Sequence, residues 1–128
     1  MRILGIGTDI VECVRIGRMI ERFGELFLRR VYTAREIHYC RGKKHVTEHF
    51  AGRWAAKEAI VKCLGTGWRQ GMRLNEIEVR DLSDGMPKVY MCGCAKEQTA
   101  ALGVSDVLLT ISHCRAYATA TAIAVTNG

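Results

Sequence analysis

The sequence predicts an α+β fold: about five largely antiparallel strands, one long central helix and several shorter helices. Three observations lead there. The run from Phe50 to Leu64 is rich in alanine and long straight-chain residues and stops at Gly65, the mark of a long helix. Segments 76–82, 107–113 and 117–125 are alternating or strongly apolar over strand-like lengths. Ser83-Asp84-Gly85-Met86-Pro87 and Cys114-Arg115-Ala116 are short turns, so the strands they join return as hairpins.

Residues 2–11 form the first strand. Leu4, Ile6 and Ile10 share one face, the expected core face, and Gly5, Gly7 and Asp9 share the other. Two glycines on one strand face mean that something comes close to the backbone. Asp9, beside them, is either a cap for the next helix or a ligand. In the helix at 12–24, Ile16, Met19, Ile20 and Phe23 have the spacing of a buried stripe. Arg15, Arg18 and Arg22 make a second stripe. It is either a solvated face or a docking ridge, since arginine offers bidentate contacts to carboxylates.

Gly24 ends that helix, and residues 25–32 are a short apolar segment. Thr33-Ala34-Arg35-Glu36 is a capping box that opens a helix through about Cys40. A basic loop, Arg41 to His45, leads into the central helix, with Thr47 a possible cap. On that helix Phe50, Trp54, Glu58 and Lys62 lie four apart on one stripe, flanked by Arg53 and Lys57. Glu58 and Lys62 are either a plain i,i+4 ion pair or part of a site. Ala51, Ala55, Ala56 and Ala59 are small enough to admit a close neighbour.

After the Gly65-Thr66-Gly67 loop, a half-exposed strand at 76–82 pairs with 88–91, and a helix at 92–102 ends at Gly103. The last strand sets Tyr117, Thr119, Thr121, Ile123 and Val125 on one face and alanines on the other. Residues 1–128 read as a single domain, without repeat, linker or low-complexity segment.

Hydrophobic residues make up 48% of the chain and charged residues 25%, enough for one core. No apolar run approaches a membrane span, and the N-terminus is too soon interrupted for a secretory signal. A cytoplasmic protein without a membrane partner is expected. Its six cysteines, at 13, 40, 63, 92, 94 and 114, are expected to be reduced and mostly buried. The net charge of +6 points to an anionic partner without naming it.

Asp9 and Glu58 have no obvious local structural need. A magnesium ion takes one or two carboxylates plus phosphate oxygens and water. Lys62, Arg53, Lys44 and the Gly65-Thr66-Gly67 loop would suit a pyrophosphate beside it.

Four motifs occur in order: Gly5-Ile6-Gly7-Thr8-Asp9-Ile10-Val11-Glu12, Phe50-Ala51-Gly52-Arg53-Trp54-Ala55-Ala56-Lys57-Glu58-Ala59, Gly85-Met86-Pro87 and Ile111-Ser112-His113. With them the chain resembles the 4′-phosphopantetheinyl transferases, most closely the small bacterial holo-[acyl-carrier-protein] synthases. The resemblance covers nearly the whole chain. The first two motifs are specific at this separation, and the last two are weak alone.

The resemblance implies transfer of the phosphopantetheine arm of coenzyme A to a serine of an apo acyl carrier protein, in fatty-acid biosynthesis and lipid metabolism. Adenosine 3′,5′-bisphosphate is the other product. It implies catalytic roles for Asp9, Glu58 and Lys62, with Asp9 and Glu58 holding magnesium. A water on the metal and Glu58 both remain candidates for the base that takes the serine proton. Lys44, Arg53, Lys62, Gly65, Thr66 and His113 fall at coenzyme A positions, and Arg15, Arg18 and Arg22 on the helix that faces the carrier. It also implies a homotrimer with active sites between subunits. The glycine-lined face of strand 2–11 and an edge strand are the candidates for its interface. Two departures stand out: Trp54 in an aromatic position that is often phenylalanine, and Cys114 in one that is commonly polar.

Three other readings compete. A transferase for a polyketide or peptide synthase carrier fits less well, because broad-specificity members resemble a fused double of this unit. A basic nucleic-acid-binding module lacks a binding motif and has only 7% aromatic residues for stacking. A zinc module built on His38, Cys40, His45 and His49 is opposed by Arg41, Lys43 and Lys44, which repel a dication.

Overall fold

A computed structural model describes residues 1–65 and 71–128. In chain order the elements are β1 (Arg2–Glu12), α1 (Cys13–Phe23), α2 (Glu25–Val31), α3 (Ala34–Arg41), α4 (Val46–Leu64), a 3-10 turn (Leu74–Glu76), β2 (Ile77–Asp81), β3 (Pro87–Met91), α5 (Gly93–Ala101), β4 (Asp106–His113) and β5 (Tyr117–Thr126). The α+β prediction holds, and every strand pair is antiparallel. The strands split into a three-stranded sheet, ordered β1-β5-β4, and a separate β2-β3 hairpin.

The capping box forms: Thr33 accepts from the Glu36 amide at 3.2 Å, and the Thr33 amide donates to the Glu36 carboxylate at 2.9 Å. It starts α3 where the sequence placed it. The apolar segment before it folds as α2 and buries Phe27, Leu28 and Val31. Thr47 is not the cap of α4: the helix begins at Val46, with His45 in the cap position. It ends as expected at Gly65, whose φ of 56° suits a residue without a Cβ.

The largest correction concerns β1. Leu4, Ile6 and Ile10, expected in the core, are 39%, 66% and 67% exposed. The buried face is the one with the glycines, and α4 lies directly on it. A Cβ on Gly7 would stand 2.1 Å from the Ala59 carbonyl oxygen, and one on Gly5 2.0 Å from that of Cys63. Helix and strand therefore meet backbone to backbone. Ala51, Ala55 and Ala59 on the helix, and Ala118, Ala120, Ala122 and Ala124 on β5, extend this contact and are all buried. The glycine face is thus occupied within the chain and is not free to bind a second subunit. The free face carries Ile3, Ile6, Ile10, Leu108 and Tyr117, each at least 45% exposed. On the far side of α4, Phe27, Tyr32, Phe50 and Trp54 form an aromatic cluster, with the Tyr32 hydroxyl donating to the Phe50 carbonyl at 2.8 Å.

Half of the cysteines behave as expected: Cys13, Cys40 and Cys63 are buried, Cys92 and Cys114 are exposed and Cys94 is intermediate, all as free thiols. Burial pushes the Cys40 thiol up to about 12 and the Cys63 thiol to about 11. Both are inert at neutral pH.

Candidate active site

The close contact between α4 and β1 brings Asp9, Glu58 and Lys62 together. Asp9 sits on the inward face of β1, two residues beyond Gly7, where the helix is nearest. The Lys62 ammonium donates to the Asp9 carboxylate and to the Thr8 carbonyl, each at 3.0 Å. Lys62 therefore pairs with Asp9 across the helix–strand contact; its sequence neighbour Glu58 is not its partner.

Glu58 is half-buried and makes no hydrogen bond or ion pair within the described residues. Burial first, and then the Asp9 carboxylate, push its carboxyl above the ordinary value, while Lys62 and Arg15 pull it down. Two mutually repelling carboxylates, one of them unpartnered, are a donor set that a hard cation relieves. Magnesium fits it, since two protein carboxylates leave room for phosphate oxygens and water. Among the described residues no three acids, histidines or cysteines gather, so a metal here would complete its shell with water or with oxygens of a ligand. The same finding leaves the zinc reading of His38, Cys40, His45 and His49 without a cluster.

Arg15, on the first turns of α1, lies close enough to act on Glu58. The arginine stripe thus begins at the carboxylate pair. Arg15, Arg18 and Arg22 are exposed and pair with no acid among the described residues.

The remaining site residues stand elsewhere. His113, at the end of β4, faces the opening turn of α4, and Glu48 joins it to that turn. The ring Nδ1–H of His113 donates to Glu48 Oε1 at 3.0 Å, because an ionised carboxylate only accepts. Glu48 Oε2 lies 3.7 Å from His45 Nδ1. His49 packs edge-on against His113, with centroids 4.9 Å apart. Burial and then the His113 charge hold His49 below its ordinary value. Lys44 borders the adjoining cavity of about 510 Å³ with His45, Glu48 and Arg115. Glu48 and Glu58 are ten residues, about 15 Å, apart along the helix.

Arg53 faces a third direction. It is 5% exposed, donates to Asp81 at 3.0 Å and lies over the Tyr39 ring at 4.2 Å. Against the desolvation that raises it, hydrogen bonds from Tyr39 and Arg53 keep the Asp81 carboxyl below the usual range. The Arg53 Nε is buried without a hydrogen-bond partner among the described residues. Gly65 caps the C-terminus of α4. Thr66, with Gly67, lies outside the described residues.

The sequence reading missed Glu48, Tyr39 and Asp81. The i,i+3 spacing of His45 and Glu48 was a signal for the first; nothing local marked the other two.

Fold and site together define a small α+β enzyme whose paired carboxylates and lysine suit a metal and a phosphate. The comparisons make this specific. The profile of the 4′-phosphopantetheinyl transferase superfamily matches residues 5–122. A holo-[acyl-carrier-protein] synthase of Gloeobacter violaceus is 49% identical over 117 residues, covering 91% of this chain and 88% of the relative. The crystal structure of holo-[acyl-carrier-protein] synthase from Neisseria meningitidis is similar with a TM-score of 0.89 at 31% identity, covering 98% of this chain and 100% of that one. A holo-(acyl-carrier-protein) synthase from Bacillus anthracis, in complex with CoA (3′,5′-ADP), is similar with a TM-score of 0.79 at 34% identity, over 98% of each chain. The chain belongs to the 4′-phosphopantetheinyl transferase superfamily and, within it, to the holo-[acyl-carrier-protein] synthase family of enzymes.

Proposed function

We propose that this chain, as a single domain, moves the 4′-phosphopantetheine group of coenzyme A onto a serine hydroxyl of an apo acyl carrier protein. The observation that carries this reading is the grouping of Asp9, Glu58 and Lys62 in a chain that resembles holo-[acyl-carrier-protein] synthases along its length. The serine oxygen attacks the phosphorus that bears the pantetheine arm, and the bond to the adenosine-side phosphate breaks, releasing adenosine 3′,5′-bisphosphate. Asp9 and Glu58 would hold magnesium, which when bound neutralises charge on the pyrophosphate. Lys62 stabilises negative charge on the leaving phosphate from within hydrogen-bond reach of Asp9. Product analysis tests this: adenosine 3′,5′-bisphosphate should appear in step with loaded carrier. Its release without carrier loading would mean hydrolysis and would sink the reading.

The arginine stripe supports the carrier as partner. Its guanidinium groups, exposed and paired with no acid among the described residues, lead from the surface of α1 to Glu58, the path an acidic helix would follow to deliver its serine. Reversing Arg18 and Arg22 to Glu, which leaves Arg15 beside Glu58 in place, should raise the KM for carrier at least tenfold and leave the affinity for coenzyme A unchanged. Equal loss of both would remove the docking role.

A homotrimer with shared sites accounts for two observations. The coenzyme A candidates Lys44, Arg53 and His113 stand away from Asp9, Glu58 and Lys62 within one chain. The outer sheet face exposes large aliphatic residues that a monomer would have to leave in water. Ile6→Glu with Ile10→Glu should yield monomers by light scattering, with transfer lost. A monomeric wild-type protein that is fully active would contradict the shared site. A cytoplasmic setting and a role in fatty-acid synthesis complete the proposal; among the described residues no helix is long and apolar enough to cross a membrane.

A further inference from the structure

One buried ion pair takes no part in the site described. Lys57 is 0% exposed and Glu36 1%. The Lys57 ammonium lies 2.6 Å from Glu36 Oε1 and donates to the carbonyls of Val31 at 2.7 Å, Ile77 at 2.6 Å and Leu74 at 3.0 Å. An ammonium has three hydrogens, so four acceptors surround three donors. Glu36 is held in turn by the amides of Val79, at 2.8 Å, and Thr33, at 2.9 Å. One side chain of α4 is thereby tied to α2, α3, the 3-10 turn and β2.

Stability alone does not explain the pair. Burial lowers the Lys57 pKa and Glu36 only partly restores it, and apolar residues of similar size often replace such pairs without loss. The pair adds direction. On its other side α4 rests on glycine and alanine, with backbone against backbone. That surface allows close approach but offers few interlocking side chains to fix the roll of the helix about its axis. Four directional contacts at Lys57, the residue before Glu58 and the most deeply buried charge on α4, join those of Glu48, Arg53 and Lys62 in fixing it. Glu58 is the next residue, about 100° around the helix, and its carboxylate lies about 6 Å from the axis. A roll of about 10° would carry it about 1 Å, and a displacement of that size costs about 10²-fold in rate.

We infer that Lys57, through Glu36 and the three carbonyls, is a positioning residue that sets the roll of α4 and so the place of Glu58. This rests on the reading of Glu58 as a metal-holding group of the active site. The test compares wild type with Lys57→Met and with the double variant Lys57→Met/Glu36→Gln, which leaves no unpaired buried charge if the single variant fails to fold. Circular dichroism and melting establish folding at 20 °C. Mn²⁺ binding is then followed by electron paramagnetic resonance without coenzyme A, and transfer by kcat and KM.

The folded variant should bind Mn²⁺ about tenfold more weakly and lose about 10²-fold in kcat, with KM for coenzyme A within threefold. A lower melting temperature with unchanged kcat and Mn²⁺ affinity would make the pair structural and overturn the inference. A wild type that binds Mn²⁺ but transfers nothing would defeat the functional reading and leave the binding comparison to decide the inference. A wild type that does neither would overturn both.

Discussion

Glu58→Gln is expected to fold like the wild type and to lose transfer by about 10²–10³-fold. The carboxylate makes no hydrogen bond or ion pair within the described residues, so its removal breaks no structural contact. It also removes a charge that burial and Asp9 disfavour. The melting temperature should therefore stay level or rise, the pattern of a residue whose placement serves activity at the expense of stability. Magnesium dependence should weaken together with kcat. A variant that unfolds, or one that keeps wild-type kcat, would return Glu58 to a structural role.

Gly7→Ala should destabilise the fold by about 3 kcal/mol or more, lowering Tm by about 10 °C or more. The added Cβ meets the Ala59 carbonyl at 2.1 Å and the Cys63 amide nitrogen at 2.6 Å. Both atoms belong to the backbone of a long helix and cannot swing aside. Relief requires α4 to move off β1, which would also separate Lys62 from Asp9. Gly17→Ala is the contrast: among the described residues its Cβ finds only the Thr47 methyl at 3.4 Å, in a helix where alanine is favoured. It should be neutral or stabilising. Equal melting temperatures for the two variants would show that the close packing is not needed.

The same contact explains which parts of the molecule were legible in the sequence. The elements of β4, β5 and the β2-β3 hairpin were legible because alternation and turn chemistry are local. So was the close approach at Gly5 and Gly7. What approaches them was not. Hydrophobicity assigned Leu4, Ile6 and Ile10 to the core, but the interior of this sheet is built from the smallest residues so that a helix backbone can lie on it. The large aliphatic residues are left for the opposite face. Asp9 and Glu58 were legible as acids without local employment. The partner of Lys62 was not, since i,i+4 spacing favoured Glu58 and only the crossing of α4 over β1 selects Asp9. Glu36 was hidden by its own motif: the capping box accounted for one oxygen, and the buried contacts to Lys57 and Val79 depend on elements far along the chain. Arg53 read as a phosphate ligand from its position, while the ring of Tyr39 and the carboxylate of Asp81 that enclose it come from α3 and β2.

In the proposed reaction this chain loads acyl carrier protein from coenzyme A through Asp9 and Glu58 with magnesium. The most direct test is intact-mass spectrometry of an apo acyl carrier protein incubated with the protein, coenzyme A and magnesium, with and without chelator. The expected result is a gain of one phosphopantetheine group per carrier, abolished by chelator and restored by added magnesium. An unchanged carrier mass with every carrier tried, or a gain that chelator does not affect, would contradict it.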